Sequence, residues 1–297
     1  MAKRPGPTLR SRKLAKELHQ AREALGLSTR ALAREVGFQP GTISKIENAR
    51  QAILVRHIKL IGRELGMSKA KIDSLVLIAA DNETDDWLLE FREDIPEWFG
   101  TYADLEPETE EIWTYSAELV HGLVQTPAYA ETMALTIFPD LSTGQLHRIV
   151  QVRRARQAML DREDPPHLRL VLNEAVIHRV VGGEQVMNEQ IKHLAAMARR
   201  PNITVQVLPF AAGAHPGMKG PFTMLRFPEG FDDMDCVYLE NENGSVWHEK
   251  PHEIGRYTDV FGRLSKMALS PEDTTELLDN LVESCESTHE GSTTGDS

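Results

Sequence analysis

The chain has 297 residues, of which 41% are hydrophobic, and this length suggests two or three compact units. Its net charge of -12 argues against nucleic-acid binding by the chain as a whole. Residues 1–75, however, hold 16 Lys and Arg against 6 Asp and Glu. This asymmetry predicts a basic N-terminal binding domain, the head, followed by an acidic C-terminal part, the body. The two cysteines lack metal-ligand spacing, and no run approaches the roughly 18 apolar residues of a membrane span. The N-terminus also lacks the apolar segment of a secretion signal. We therefore expect a cytoplasmic protein.

Short helices follow a basic arm at residues 1–11, whose prolines predict a flexible segment. Apolar residues recur at helical spacing in RKLAKELHQAREALG, and Gly26 ends that helix. Ser28 is a suitable N-cap for TRALAREV, which Gly37 ends. Further helices extend to about residue 80, so residues 12–80 predict an all-α domain.

Residues 81–111 are acidic and aromatic, with 13 acidic residues and one basic residue, Arg92. Aromatic residues are interspersed among the acidic ones, and Pro96 divides the segment into two helical pieces. We interpret it as a solvated helical linker whose aromatic side packs on the body. A role in mimicking DNA or in binding a partner is the alternative.

Residues 112–285 predict a second domain that combines strands and helices. The strand-like segments are EEIWTYSAELV, LRLVLNEAVI, ITVQVLP, FTMLRF, DCVYLEN and SVWHE. Pro127 opens a short helix, GGEQVMNEQIKHLAAMARR is strongly amphipathic, and Ser270-Pro271 begins another helix. The predicted fold class is α+β: an all-α helix-turn-helix domain, a helical linker, and an α/β domain with a small mixed or antiparallel sheet. Residues 286–297 predict a disordered tail.

The segment GFQPGTISKIENAR, residues 37–50, predicts the turn and second helix of a helix-turn-helix. Ile43 and Ile46 share one face and are expected to point into the core. The opposite face is polar and carries no carboxylate, which suits a DNA major groove. We interpret Pro40 and Gly41 as the first helical turn, because proline is tolerated there and glycine leaves the backbone N–H groups open to phosphate or bases. A plain surface turn is the alternative.

The stretch LHQAREALGLSTRALAREVGFQPGTISKIENAR resembles the helix-turn-helix of the XRE family, the lambda/434 repressor and Cro-like group. The resemblance covers about residues 10–75, with Ala49 where the family usually has glycine. It implies that Thr29 contacts phosphate and that Arg22 and Glu47 form a buried ion pair between the first and third helices. Loss of one partner would strand a buried charge at a cost of several kcal/mol.

The resemblance also implies which residues contact DNA bases. Pro40, Gly41, Thr42 and Lys45 match base-reading positions, but the first two carry no polar side chain. We therefore expect direct readout from Thr42, Ser44 and Lys45, with more weight on phosphate contacts and DNA shape. The full set of expected DNA-binding residues is Arg12, Ser28, Thr29, Arg30, Gln39, Pro40, Gly41, Thr42, Ser44, Lys45, Asn48 and Arg50.

Much of the remaining chain is similar to a group of actinobacterial proteins that join an XRE head to an uncharacterised, antitoxin-like C-terminal domain. The matching segments include WLLEFREDIPEWFGTYADLE, VHGLVQTPAYAE and NITVQVLPFAAGAHPGMKGPFTMLRF, within about residues 85–280. His121 stands where the family motif has proline. The resemblance implies a transcriptional regulator that pairs with a small protein encoded by an adjacent gene, and it brings no reaction chemistry.

Two motifs in this part are candidate partner-binding sites, each with a structural alternative. In GLVQTPAYA, Gln125 and Thr126 either contact a partner or cap the helix that Pro127 opens. In GAHPGMKGP, His215 and Gly217 either belong to a ligand or partner surface or form a wide hairpin between two strands. A phosphate loop is not indicated, because Gly-Met-Lys-Gly precedes a strand rather than a helix.

His248, Glu249 and His252 fit the HExxH spacing of zinc peptidases. That chemistry requires both histidines one turn apart on a continuous helix. Pro251 interrupts the motif and is expected to begin the next helix, so that His248 ends the strand SVWHE. A helix-turn-helix protein fused to a zinc peptidase is therefore a minor alternative.

Together these observations predict a sequence-specific DNA-binding transcriptional regulator with no enzymatic activity and no cofactor. We expect it to bind an inverted-repeat operator as a homodimer, since two-fold operators match two-fold proteins. Its C-terminal domain is expected to sense a small partner protein. The alternative is an antitoxin that neutralises that protein and autoregulates its operon. The expected location is the cytoplasm, in association with the nucleoid.

Overall fold

The computed structural model describes residues 9–51, 53–80 and 97–292, and it divides the chain into two units, residues 1–90 and 91–297. The first unit is helical, and the second combines a six-stranded sheet with helices. The predicted α+β class is therefore confirmed. In the described part of the chain, no helix is long and apolar enough to cross a membrane.

Five helices form the described part of the N-terminal unit. They are α1 (Leu9–Ala24), α2 (Thr29–Glu35), α3 (Thr42–Glu47), α4 (Val55–Glu64) and α5 (Lys69–Ala80). Helix α1 begins within the segment predicted as a flexible arm, of which residues 1–8 lie outside the described part. The predicted N-cap of α2 is present, because the Ser28 hydroxyl accepts a 3.1 Å hydrogen bond from the Ala31 N–H.

One apolar core holds these helices together. Each helix contributes residues at intervals of three or four positions, which places them on one face. The most deeply buried side chains are Leu14, Leu18, Leu32, Ile43, Ile46, Ile58, Ile61 and Leu75, all at 2% relative exposure or less. Burial of each such side chain contributes about 1.5–3 kcal/mol. This core therefore orients α3 and leaves its outer face to solvent.

The second unit is built on a mixed six-stranded sheet. Its strands are β1 (Glu111–Ser116), β2 (His167–Asn173), β3 (Ile203–Leu208), β4 (Phe222–Arg226), β5 (Cys236–Asn241) and β6 (Gly244–His248). Their spatial order is β3-β2-β1-β4-β5-β6. Strands β1, β2 and β3 are parallel, whereas β4 is antiparallel to β1, β5 to β4, and β6 to β5. The carboxyl ends of β1, β2 and β3 therefore meet at one edge of the sheet.

Among the described residues, seven α-helices accompany the sheet. They are α6 (Glu97–Leu105), α7 (Pro127–Ile137), α8 (Thr143–Gln157), α9 (Glu174–His178), α10 (Glu184–Met197), α11 (Pro251–Met267) and α12 (Pro271–Ser292). The segment LRLVLNEAVI, predicted as one strand, divides at Asn173, whose side-chain oxygen accepts from the Ala175 N–H at 3.0 Å and caps α9. The predicted helix starts at Pro127 and Pro271 are observed, and α12 continues past the start of the predicted tail.

The aromatic end of the predicted linker belongs to the second unit. Tyr102 and Leu105 on α6 are 2% exposed, and Glu106 in the following turn is fully buried. Strand β1 also begins at Glu111, inside the predicted linker. The segment 81–96 lies outside the described residues. Tyr102 therefore packs on the body, as the sequence predicted for the aromatic side of this segment, whereas Glu111 belongs to a strand and not to a helical linker.

The two faces of the sheet have different partners. On one face, Tyr115 and Val237 pack against Phe261 of α11 in an apolar core. Because successive residues of a strand point to opposite faces, Tyr238 lies on the other face, where its ring lies 4.5 Å from that of Tyr102 between centroids. The second face therefore carries aromatic and polar groups that α6 helps to cover.

Candidate nucleic-acid interface and the loops of the body

Residues Gln39 to Thr42 form a β-turn immediately before α3. The Thr42 N–H donates a 3.1 Å hydrogen bond to the Gln39 carbonyl, and Gly41 has φ 86° and ψ -9°. With Pro40 before Gly41, these are the features of a type II turn. The interpretation of Pro40 and Gly41 as the first helical turn is therefore wrong, and α3 begins at Thr42 with Gly41 as its N-cap. A positive φ cannot continue a right-handed helix, and glycine adopts it without steric cost.

The end of α3 places Ala49 at a positive φ of 52°. The Ala49 N–H donates to the Ile46 carbonyl at 2.9 Å, and the Arg50 N–H donates to the Lys45 carbonyl at 2.8 Å. This is the hydrogen-bond pattern of a Schellman motif, in which glycine is the usual residue. The left-handed conformation costs alanine about 1–2 kcal/mol. The motif is therefore kept at this site by its hydrogen bonds and the packing of α3, without the glycine that the family usually has.

The outward face of α3 consists of Ser44, Lys45 and Asn48, which are all exposed. Ile43 and Ile46 on the inner face are each 2% exposed. The Asn48 Nδ2 donates to the Ser44 carbonyl at 2.7 Å, which orients the amide at the helix end. Lys45 forms no ion pair with any described residue, so its ammonium group can approach a phosphate or a base.

The other predicted contact residues lie on α1, on α2 and beside α3. Ser28 and Arg30 at the start of α2 are exposed, and Thr29 is half-buried. Arg50, after α3, is exposed, whereas Arg12 on α1 is half-buried and one of its guanidinium nitrogens is fully buried. Helix α2 packs directly against α3. The predicted contact residues of α2 and α3 therefore lie on neighbouring helices. Only part of the Arg12 side chain is accessible to DNA.

The implied ion pair between α1 and α3 is present and buried. The Arg22 Nε donates to Glu47 Oε1 at 2.7 Å, and Nη2 donates to Oε2 at 2.9 Å. The two side chains are 6% and 5% exposed. His19 Nδ1 lies 3.1 Å from the same carboxylate, and the Leu27 carbonyl accepts from Arg22 Nη1. The hydrogen bonds with Glu47 raise the pKa of Arg22, so the guanidinium stays charged.

The GLVQTP motif is a structural element of the body. The Thr126 hydroxyl accepts from the Tyr129 N–H at 3.3 Å and caps α7, as the structural alternative required. Gln125 is 6% exposed, and its Nε2 donates to the Val120 carbonyl at 2.7 Å. Gln190 of α10 also accepts from the Thr126 N–H at 2.7 Å. The prediction that Gln125 contacts a partner is wrong, because the side chain is buried and its amide nitrogen is bonded within the loop.

The loop GAHPGMKGP is anchored by Gly217, which lies against the ring of Tyr115. A Cβ atom at Gly217 would lie 2.6 Å from that ring, so a larger residue does not fit. His215 meets the same ring edge-on, at 5.8 Å between centroids. Gly217 is buried and cannot contact a partner as predicted, whereas its neighbour Met218 is 71% exposed. The predicted hairpin is wrong, because the loop joins β3 and β4, which are not neighbours in the sheet. The loop is a crossover connection that packs on Tyr115 through Gly217 and exposes an apolar side chain at Met218.

The HEKPH motif is divided between a strand and a helix. His248 ends β6, and Pro251 is the first residue of α11, which contains His252. The His248 Nδ1 lies 3.5 Å from a carboxylate oxygen of Glu253. In the described part of the chain, no group of three His, Cys, Asp or Glu side chains is arranged to hold a metal ion. The two histidines therefore do not share the continuous helix that the peptidase motif requires.

The sequence did not indicate a second buried ion pair, which lies in the body. Arg156 Nε and Nη2 donate to the two carboxylate oxygens of Glu106 at 2.7 and 2.8 Å. Their side chains are 6% and 0% exposed. The two residues lie 50 positions apart, one in the acidic segment and one on α8. No local pattern connects them, so sequence periodicity has no means of pairing them.

Two family models match the chain. Residues 13–75 match the model of a helix-turn-helix domain, and residues 99–280 match the model of a domain of unknown function, DUF5753. The first match includes α2, α3 and the Arg22–Glu47 ion pair, and the second includes the whole sheet. No curated protein and no solved structure matches the chain.

Proposed function

The chain belongs to the DUF5753 family, and its helix-turn-helix domain supports a DNA-binding regulator. We propose that the protein binds an inverted-repeat operator as a homodimer. We also propose that it receives a signal through its C-terminal unit. The observation that carries the proposal is the face of α3 formed by Ser44, Lys45 and Asn48. That face is exposed, polar and without carboxylates. The opposite side of the helix is held by the core, so the face is presented in one orientation.

A dimer is favoured by the small size of the reading element. Helix α3 has six residues, so that one head contacts few base pairs. Two heads related by a two-fold axis read two half-sites about one helical turn apart, which doubles the contacts. The excess of basic residues in residues 1–75 supplies attraction to phosphates. We propose an operator of the XRE type upstream of the protein's own gene.

We expect Lys45→Ala to weaken binding to that operator about tenfold or more, because a good base contact is worth about 1–3 kcal/mol. Thr29→Ala is expected to weaken binding to all sequences alike, since we propose that its side chain contacts phosphate. Lys59→Ala removes the same charge from an exposed position on α4 and is the matched control. Affinities are measured by fluorescence anisotropy with the upstream DNA and with a scrambled duplex.

The titrations are run at about 50–200 mM salt, where phosphate contacts respond strongly to ionic strength. Footprinting of the upstream region locates the two half-sites. If the full-length protein binds neither duplex at about 50 mM salt, the proposal fails. Equal losses for Lys45→Ala and Lys59→Ala would show that α3 does not read the operator.

A protein partner is supported by exposed apolar side chains at the carboxyl edge of the parallel strands. Leu119 follows β1, Val180 follows α9 after β2, and Phe210 and Met218 lie between β3 and β4. Their relative exposures are 36%, 60%, 61% and 71%. We call these four residues the carboxyl-edge surface. Exposed apolar patches of this kind mark sites of protein association.

Contacts between three loops connect this surface. Arg179, after β2, forms an ion pair with Glu118, after β1. The Phe210 N–H donates to the Glu174 carboxylate, and its ring stacks on His178 with 6.5 Å between centroids. The loops that follow β1, β2 and β3 therefore form one surface in which polar groups surround apolar ones.

We propose that the carboxyl-edge surface binds the small protein encoded by the adjacent gene. The same contact would serve a regulator that senses this protein or an antitoxin that neutralises it. The regulator is our first proposal, because residues 13–75 match a helix-turn-helix domain. An adjacent protein that is toxic alone and silenced by this chain would favour the antitoxin.

The double variant Phe210→Asp and Met218→Asp is expected to lower affinity for that protein about tenfold or more, because apolar anchors are lost and two charges must be desolvated. Phe138→Asp, at a 54% exposed position after α7, is the matched control. Affinity is measured by calorimetry with the purified partner. An unchanged melting temperature of the C-terminal unit, to which both residues belong, shows that the variant is folded. If the wild-type protein does not bind the adjacent-encoded protein, the proposed partner is wrong.

We propose that the C-terminal unit binds rather than catalyses. This is supported by the division of HEKPH between β6 and α11. Stoichiometric zinc in the purified protein, together with peptidase activity, would contradict this proposal.

A further inference from the structure

Two helices of the body, α11 and α12, have outer faces of opposite charge. Helix α11 packs on the sheet through Phe261 and Leu264, and α12 packs on β3 and α10, with Leu278 fully buried. On the outer face of α11, ionisable residues follow one another at intervals of four and three positions, and all are exposed. They are His252, Arg256, Asp259, Arg263 and Lys266, and we call them the basic stripe.

The outer face of α12 has the same spacing with acidic residues alone. We call these residues the acidic stripe: Glu272, Glu276, Asp279 and Glu283. All but the half-buried Asp279 are exposed. The sequence of α12 contains no lysine or arginine. The two consecutive helices therefore separate the two signs of charge instead of mixing them.

Most of these charges have no partner within the described part of the chain. Arg256, Arg263 and Lys266 form no ion pair and no side-chain hydrogen bond with a described residue, and the same holds for Glu272 and Glu276. Lys266 in the last turn of α11 and Glu272 in the first turn of α12 interact favourably with the helix dipoles. Arg256, Arg263 and Glu276 lie away from the helix ends, so the dipoles do not account for them.

Separation of the signs has a cost for a single copy of the chain. Like charges four positions apart on a helix repel each other, as Glu272 and Glu276 do. A surface that serves solubility alone mixes both signs and avoids this repulsion. Charges separated by sign instead suit association with a surface of the opposite sign.

The turn between the two helices fixes the stripes relative to each other. Gln206 Nε2 donates to the carbonyls of Ser265 and Leu269 at 3.1 and 2.8 Å, which holds the end of α11 on β3. The Val207 N–H donates to the Thr274 hydroxyl at 3.0 Å, which holds the first turn of α12 on the same strand. The basic and acidic stripes are therefore presented together, as one rigid pair of surfaces.

A second copy of the chain matches this pair of surfaces. At about 1.5 Å per residue, the basic stripe extends over about 21 Å and the acidic stripe over about 17 Å, so one can cover the other. In a two-fold dimer, a contact of α11 with the partner's α12 is repeated as a contact of α12 with the partner's α11. DNA matches the pair less well, because its phosphates would be repelled by the acidic stripe beside the basic one.

We propose that the homodimer forms through these two helices, with the basic stripe of each copy against the acidic stripe of the other. This inference rests on the homodimer of the proposed function and assigns its interface to the C-terminal unit. Exposed charge pairs are screened by salt. The dimer is therefore expected to dissociate more readily as the ionic strength rises.

The test exchanges the charges of one stripe at a time in the full chain. An acidic variant carries Arg256→Glu and Arg263→Glu, and a basic variant carries Glu272→Lys and Glu276→Lys. In each variant both stripes have the same sign, so the dissociation constant of the dimer is expected to rise about tenfold or more. An equimolar mixture of the two variants is expected to form heterodimers again, because both contacts then join opposite charges. Sedimentation velocity at about 100 mM salt measures the association.

The matched control is Glu131→Lys with Glu163→Lys, which changes the charge as the basic variant does, at exposed positions on α7 and after α8. It is expected to dimerise like the wild type. A wild-type protein that is monomeric at every concentration would overturn both the homodimer and this interface. A wild-type dimer whose dissociation constant is unchanged in the acidic and basic variants would leave the homodimer in place and overturn the interface alone.

Two further outcomes would also overturn the interface. Loss of the dimer in each variant without recovery in the mixture would indicate damage to the fold rather than repulsion between the stripes. Weaker operator binding by the acidic variant, with an unchanged dimer, would show that α11 contacts DNA.

Discussion

Replacing Glu47 with Gln is expected to unfold the N-terminal unit near physiological temperature and to abolish DNA binding. The substitution removes the buried carboxylate that pairs with the Arg22 guanidinium, 6% exposed, and leaves it only the ion pair with Glu23, whose side chain is 60% exposed. Breaking a buried ion pair in this way costs about 3–5 kcal/mol. A small domain has a total stability of about 5–15 kcal/mol. The lost stability is therefore a large part of the free energy of unfolding. The position of α3 depends on this ion pair, because the pair joins α3 to α1.

The loss is measured by thermal and urea unfolding of the full chain, followed by circular dichroism, together with operator binding. Glu35→Gln is the matched control, because the Arg34–Glu35 pair has side chains 79% and 49% exposed. An exposed pair contributes about 0–1 kcal/mol, so this variant is expected to unfold almost as the wild type does. Similar unfolding midpoints for the two variants would contradict a stabilising role for the buried pair.

Replacing Glu106 with Gln is expected to destabilise the C-terminal unit by about 3–5 kcal/mol, for the same reason. Here the stranded Arg156 would also face Arg153 on the preceding turn, so two cations would share a site with only the exposed Glu240 carboxylate in electrostatic range. Both side chains of the native pair are nearly inaccessible, at 6% and 0%. The control is Glu118→Gln, whose pair with Arg179 has side chains 63% and 52% exposed. It is expected to change the free energy of unfolding by less than about 1 kcal/mol.

The free energy of unfolding of the C-terminal unit is expected to fall as the pH falls. Burial alone would raise the pKa of Glu106, but the charge and hydrogen bonds of Arg156 lower it overall. The pair therefore contributes fully above the ordinary carboxyl pKa and is lost as pH falls through the lowered folded-state value. His121 also makes the folded unit less stable as the pH falls. Burial lowers its pKa from 6.5 to about 4, so on acidification the unfolded chain binds a proton before the folded chain does.

Urea midpoints of the body measured between about pH 4 and pH 8 test this behaviour, since that range covers the ordinary pKa values of His and Glu. The wild type is expected to lose stability steadily below about pH 6.5. Glu106→Gln is expected to be less stable at pH 7 and to lose less than the wild type at the acid end. A variant as stable as the wild type at pH 7 would show that the ion pair contributes no net stability.

The helical N-terminal unit was largely predictable from sequence, since its helix caps, turns and apolar periodicity are local patterns. Ser28 caps α2 through a bond to Ala31, three residues away, and apolar residues at intervals of three or four define the core faces. The exception was the Pro40-Gly41 turn. Proline suits both the first position of a helix and the second position of a type II turn, and the positive φ of Gly41 decided between them.

The body was predictable as a list of strands and helices but not as an arrangement. Hydrophobic alternation located six strands, although it extended β2 into α9 because it does not register the Asn173 cap. The motifs that looked functional, at Gln125 and Gly217, turned out to be buried supports. The exposed residues beside them, such as Met218, had no distinguishing pattern because exposure depends on what packs nearby.

The sequence by itself determined the basic head, the helix-turn-helix and the positions of most helices and strands, because caps, turns and periodicity act within about four residues. The tertiary structure alone decided the strand order and the pairing of Glu106 with Arg156 across 50 positions. Both depend on how the segment between β1 and β2, which contains α8, packs on the sheet. Contacts between segments distant in the chain produce no local sequence pattern from which they could be predicted.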